Sequence, residues 1–113
     1  MSELTIARHE IGGASVIAPA GRIDSSTAAQ FQETVIEAVE GGATRMVLDF
    51  SDVGYISSAG LRVVLLAGKR LKGGGGTLAL CGMQPSIREV FEISGFIGLF
   101  EVRDTAQDAA DAI

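Results

Sequence analysis

The chain has 113 residues, 47% of them hydrophobic and 20% charged, which is enough for one self-supporting core and reads as a single domain over 1–113. Its formal charge of −5 and sequence pI near 4.7 repel phosphate backbones, and no basic and aromatic cluster offsets them, so nucleic acid is excluded as a direct partner. Cys81 is the only cysteine and His9 the only histidine, which excludes an internal disulfide and a zinc-ligand set; no metal or cofactor is expected.

The amino terminus M-S-E-L-T-I-A-R-H-E has no basic segment leading into an apolar one, and no apolar run approaches a membrane span. The expectation is a soluble cytoplasmic chain with no membrane partner. Leu4 to Ile11 alternates apolar and polar residues, Gly12-Gly13 follows, and Ala14 to Ala18 is β-prone, so a hairpin opens the fold. Pro19 donates nothing to a ladder, which predicts that the second strand ends or lies at an edge there. Asp24, Ser25 and Ser26 are the predicted caps of a first helix. Its buried stripe is Ala28, Phe31, Val35 and Ala38 or Val39, and Gly41-Gly42 ends it.

Arg45 to Phe50 is nearly continuous in apolar residues, as a central strand covered on both faces would be. A short turn is predicted next, with Asp52 as a turn residue. A second helix follows, starting at the serine pair Ser57 and Ser58, with Leu61, Val64, Leu65 and Leu71 inward. Lys69, Arg70 and Lys72 complement the dipole at its carboxyl end, and one of Gly73 to Gly76 is the expected left-handed cap. Thr77 to Cys81 reads as a buried strand, and Pro85 opens a third helix with Ile87, Val90, Phe91 and Ser94 at helical spacing. Leu99 to Val102 suggests a last strand. Asp104 or Thr105 caps an alanine-rich closing helix expected to fray. Strands alternating with helices after a hairpin give an α/β fold: a mixed β-sheet with about four helices packed on it.

The chemistry concentrates at the start of the second helix. The first amides of a helix lack intrahelical acceptors and carry partial positive charge, so an anion is welcome at Ser58. Ala59 and Gly60 have almost no side chain and leave the hydroxyl and amides open. Serine also caps helices with no further role, so spacing alone leaves Ser57 and Ser58 explained without function. Arg62 lies one turn on, within reach of a phosphate or as a solvated face. Cys81 reads as core.

Three enzyme-like readings fail on context. The tetraglycine follows a helix and precedes a strand, the reverse of a phosphate loop. I-S-S-A-G is not a hydrolase elbow. Asp49 lacks the acidic cluster that a phosphorylated-aspartate receiver needs.

The run D-F-S-D-V-G-Y-I-S-S-A-G-L-R-V-V-L-L resembles the signature of the anti-sigma-factor antagonists, the stand-alone bacterial form of the STAS domain. G-R-I-D from Gly21, G-G-G-T-L-A-L-C-G from Gly74 and P-S-I-R-E-V-F-E-I-S-G-F from Pro85 fall in the family's order. The resemblance implies a STAS-like fold and a binding protein, not an enzyme. It implies phosphorylation at Ser58, with Asp24, Ser57, Ala59, Gly60 and Arg62 as partner contacts and Asp52 as a further candidate. The implied partners are an anti-sigma factor that is also a serine kinase, and a serine phosphatase that restores the unphosphorylated form. Many relatives carry aspartate in place of Ser57 and glycine in place of Arg62. The alternative is therefore a STAS scaffold or small-ligand-sensing interaction module that is not phosphorylated.

Overall fold

The computed structural model describes residues 3–113, so Met1 and Ser2 of the amino-terminal reading lie outside it. Strands β1 (Leu4–Ile11) and β2 (Ala14–Ile23) form the expected hairpin through Gly12 and Gly13, both at positive φ. The rest follows as α1 (Ala28–Glu40), β3 (Arg45–Asp49), β4 (Asp52–Ile56), α2 (Ser58–Gly73), β5 (Thr77–Cys81), α3 (Pro85–Ile93), β6 (Glu101–Arg103) and α4 (Ala106–Ala112). A single 3-10 turn, Ile97–Leu99, precedes β6. The sheet runs β1-β2-β3-β5-β6, with β4 added to the far half of β2. Among the described residues, only the hairpin is antiparallel.

Residue alternation along the central strands explains their continuous apolarity. Ile17, Met46, Leu48, Leu78 and Leu80 join the core that α1, α2 and α3 cover. Val16, Val47, Ala79 and Cys81 face the opposite side, where Ala109 and Ala110 of α4 close over them. A strand buried on both faces has no polar position to spare.

Several expectations are corrected. Pro19 neither ends β2 nor lies at an edge. It is buried, paired with Ile6 of β1, and falls between the β3 register ending at Ile17 and the β4 register starting at Ala20. No donor is required of it on that side. The segment read as a turn after β3 is a strand: Val53 and Ile56 point into the core and Asp52 opens β4. Val53 N–H donates to Phe50 O at 3.0 Å, and β3 and β4 both run parallel to β2, so Phe50 and Ser51 make a short offset between strands of the same direction rather than a reversal. In α2, Val63 and Ala67 are buried with Leu61, Val64 and Leu71, while Leu65 is half-buried. Ser94 is the exposed cap of α3 rather than part of its stripe. The last strand starts at Glu101, two residues later than expected, because the 3-10 turn consumes Leu99.

The closing helix does not read as frayed. Thr105 caps it, accepting from Asp108 N–H at 3.1 Å. At its other end the Arg45 guanidinium donates to Ala110 O, Ile113 O and Gly12 O at 2.7–2.8 Å, satisfying terminal carbonyls and tying the helix to the hairpin. At the tetraglycine, Gly75 takes the left-handed conformation at φ +80 and Gly76 N–H closes on Leu71 O at 2.7 Å.

Cys81 is fully buried, and its thiol is pushed up from 9.0 to about 12 by burial first and then by the Asp49 charge and hydrogen bond. A raised folded value means the thiol stays protonated in the fold and ionises more readily once unfolded. Its contribution to stability is complete below the unfolded pKa and is lost as pH climbs from about 9 towards 12, at up to about 1.4 kcal/mol per pH unit. Denaturation midpoints from pH 8 to 10.5 are expected to fall more steeply for the native chain than for Cys81→Ala; parallel curves would refute this assignment.

Candidate functional site

The sequence places a serine pair where β4 passes into α2, and the sheet decides what surrounds it. Ile23 and Ile56 are partners at the ends of the parallel strands β2 and β4. Ser57 N–H then donates to Ile23 O at 2.8 Å, stitching the entry of α2 to the end of β2. Asp24 is the first residue after that strand, so the loop into α1 and the start of α2 leave the sheet side by side.

The two helix starts are finished differently. In the first, Thr27 is the N-cap residue rather than Asp24, Ser25 or Ser26, and Asp24 instead braces the turn. Its Oδ1 accepts from the amides of Ser26 and Thr27 at 2.9 and 3.2 Å and from the Ser26 hydroxyl at 2.6 Å. Thr27 is buried, and its hydroxyl donates to Arg22 O at 2.7 Å. Negative charge therefore already sits at the start of α1.

At the second start the cap is one neutral oxygen. Ser57 has extended geometry, φ −91 and ψ 173, and its Oγ accepts from Gly60 N–H at 3.3 Å. Ser58 is the first residue of the sixteen-residue helix and is exposed; Ser57, not Ser58, supplies the capping oxygen. No acidic side chain stands in the first turn, so the partial positive charge there is uncompensated. The arrangement suits a hydroxyl that becomes an anion.

Ala59 is half-buried and Gly60 buried. A Cβ on Gly60 would stand 2.7 Å from both Ile23 Cγ2 and Ile56 Cγ1, so glycine is what allows α2 to start this close to the sheet. For Gly60→Ala, two side chains met at 2.7 Å put overpacking at about 2–3 kcal/mol, which exceeds a helix-propensity gain of about 1 and leaves a net loss of about 1–2 kcal/mol. A midpoint equal to the native one in urea titration would contradict that reading.

Arg62 is exposed on the turn after Ser58, and no ion pair engages it among the described residues. Beside the site lies a feature that the sequence reading missed. Tyr55, 41% exposed, projects from β4 with the Arg22 guanidinium 4.2 Å from its ring centroid, and Arg22 Nε also stands 3.8 Å from Asp24 Oδ2. The β-branched and aromatic residues of V-G-Y-I favour a strand, but the interposed Gly54 breaks the alternation and nothing local links Tyr55 to Arg22.

The sequence matches the family model of the STAS domain over residues 5–109. The chain belongs to the STAS domain family. This STAS domain is 41% identical over 109 residues to BtrV of Bordetella bronchiseptica, by name a candidate anti-sigma factor antagonist, covering 96% of this chain and 94% of the relative. An anti-sigma factor antagonist from Mycobacterium paratuberculosis has the same fold at a TM-score of 0.90, with 24% identity over 98% of this STAS domain and 94% of that chain. The Bacillus cell fate determinant SpoIIAA in its phosphorylated form matches at a TM-score of 0.74, with 23% identity over 96% and 98% of the two chains. The mixed sheet with four α-helices is thus the STAS architecture that the sequence resemblance implied. Among the described residues, no helix of this STAS domain is long and apolar enough to cross a membrane.

Proposed function

We propose that this STAS domain is a cytoplasmic anti-sigma-factor antagonist whose partner is chosen by the phosphorylation state of Ser58. Unphosphorylated, it binds an anti-sigma factor that is also a serine kinase and so releases a sigma factor. Phosphorylation of Ser58 ends that association, and a serine phosphatase restores it. The protein acts by binding and catalyses nothing itself.

The observation that carries this reading is the placement of Ser58: exposed, first in a long helix, with its neighbour Ser57 already serving as the cap. A phosphoryl group there adds about −1.5 to −2 charge at pH 7. The helix start favours such a charge, so the fold tolerates it while a docked partner does not. The names of BtrV and the mycobacterial protein support the partner class, and the phosphorylated form of SpoIIAA supports the covalent step. Asp24, Ser57, Ala59 and Arg62 make up the proposed contact surface with Ser58, extended by the Arg22–Tyr55 stack; Gly60, expected as a contact, is buried against Ile23 and Ile56 and serves by letting α2 start close to the sheet.

Intact mass after incubation with ATP and the serine kinase encoded nearest to it tests the covalent step. One phosphate adduct is expected on the native chain and none on Ser58→Ala. An adduct that survives in Ser58→Ala moves the acceptor elsewhere, Ser57 first, and no adduct with any candidate kinase favours the scaffold reading.

A further inference from the structure

The far end of α2 borders a hollow remote from the proposed contact surface around Ser58. It encloses about 640 Å³, within the range of small-molecule sites, and is walled by Leu65, Leu78, Leu99, Phe100, Ala112 and Ile113. Lys69, eleven residues beyond Ser58, lines it about 17 Å further along the helix, so the two places are separate. Gly68 keeps the wall thin: a Cβ there would stand 3.1 Å from Phe100 Cε1. Leu99 is 63% exposed at the margin, so the apolar lining continues to the rim of the hollow.

Basic side chains outnumber acidic ones on the wall of this hollow. Lys69 and Lys72 both line it, and neither takes part in an ion pair among the described residues. The acidic residue on the wall, Glu101, is turned to Arg103 Nη1 at 3.0 Å rather than to either lysine. The helix dipole accounts for basic residues in the last turn of α2, but not for an apolar hollow beside their stems. Lysines that line apolar surface with their methylenes and keep ammonium groups at the margin suit a ligand that is apolar in its body and anionic at one end.

From this we propose that the hollow between α2, β5, the 3-10 turn and α4 binds a free medium-chain monocarboxylate, its hydrocarbon against Leu78, Leu99 and Phe100 and its carboxylate between Lys69 and Lys72. The site is independent of Ser58 phosphorylation.

Amide chemical-shift titration of the full chain with hexanoate, octanoate and decanoate, below their micelle concentrations, is the test. Shifts are expected at Gly68, Gly76, Gly98 and Phe100, with affinity rising about fourfold per added methylene until the hollow is filled. The double variant Lys69→Gln/Lys72→Gln is expected to bind decanoate about fivefold more weakly while binding decan-1-ol as before, the scale of exposed charge pairs. Leu99→Asp, at an exposed position that the fold tolerates, is expected to abolish decanoate binding. Shifts absent or scattered over the whole surface, affinity independent of chain length, or a double variant that holds decanoate unchanged would each overturn the proposal.

Discussion

Ser58→Asp is expected to weaken binding of the anti-sigma factor by about a hundredfold or more, whereas Ser58→Ala is expected to bind like the native chain and to be indifferent to ATP. The size follows from desolvation. Burying an unpaired charge against a partner costs several kcal/mol, and each 1.4 kcal/mol is tenfold in affinity. The direction follows from the helix start, which welcomes the charge in the free domain because no first-turn acid competes for it. Free protein is therefore favoured at the expense of the complex. Calorimetric titration of both variants checks this, and a Ser58→Ala chain that fails to bind would mean that the hydroxyl itself is a contact rather than a switch. Partial weakening of Ser58→Asp by less than tenfold would place Ser58 at the margin of the docking surface.

The second large effect concerns the core that holds α1, α3 and the sheet together. Phe50 is fully buried in the short connection between β3 and β4, with ring centroids 6.4 Å from Phe31 and 6.0 Å from Phe91. Phe50→Ala is expected to cost about 3–5 kcal/mol from lost transfer energy and the cavity left behind. The lost ring pairs, worth about 0.5–1.5 kcal/mol beyond area burial, push the cost to the upper end of that range. Because marginal domains hold only about 5–15 kcal/mol in all, the variant should lose a large part of its stability in urea. A loss below about 1 kcal/mol would show that the three rings do not form the centre of the core. The experiment also bears on function, since Phe50 supports the start of β4 and β4 delivers Ser57 and Ser58.

Much of this was legible in the sequence because buried strands and helix stripes are local patterns. The continuous apolar run of Arg45 to Phe50 marked the central strand, and Ala28, Phe31, Val35 and Ala38 marked the inner face of α1 as found. The serine pair marked the helix start, and Ser57 caps it. What escaped were features that depend on residues far apart in the chain. β4 is a five-residue strand with three exposed positions, and it becomes a strand only because β2 continues past Pro19 to pair with it. The stability of α4 depends on Arg45, 65 residues from the Ala110 carbonyl that it satisfies. The Arg22–Tyr55 stack joins two strands whose pairing no local pattern announces. Gly60 read as open space at the surface, yet its lack of a side chain is used inward, against Ile23 and Ile56.

The most direct measurement compares the affinity of the anti-sigma factor for unphosphorylated and Ser58-phosphorylated protein, with amide spectra recorded on both free forms. The expected result is a loss of at least a hundredfold on phosphorylation, with spectral changes confined to the start of α2 and the adjoining Asp24 loop. Equal affinity, or a loss accompanied by shifts throughout the sheet, would contradict a switch made by surface charge alone.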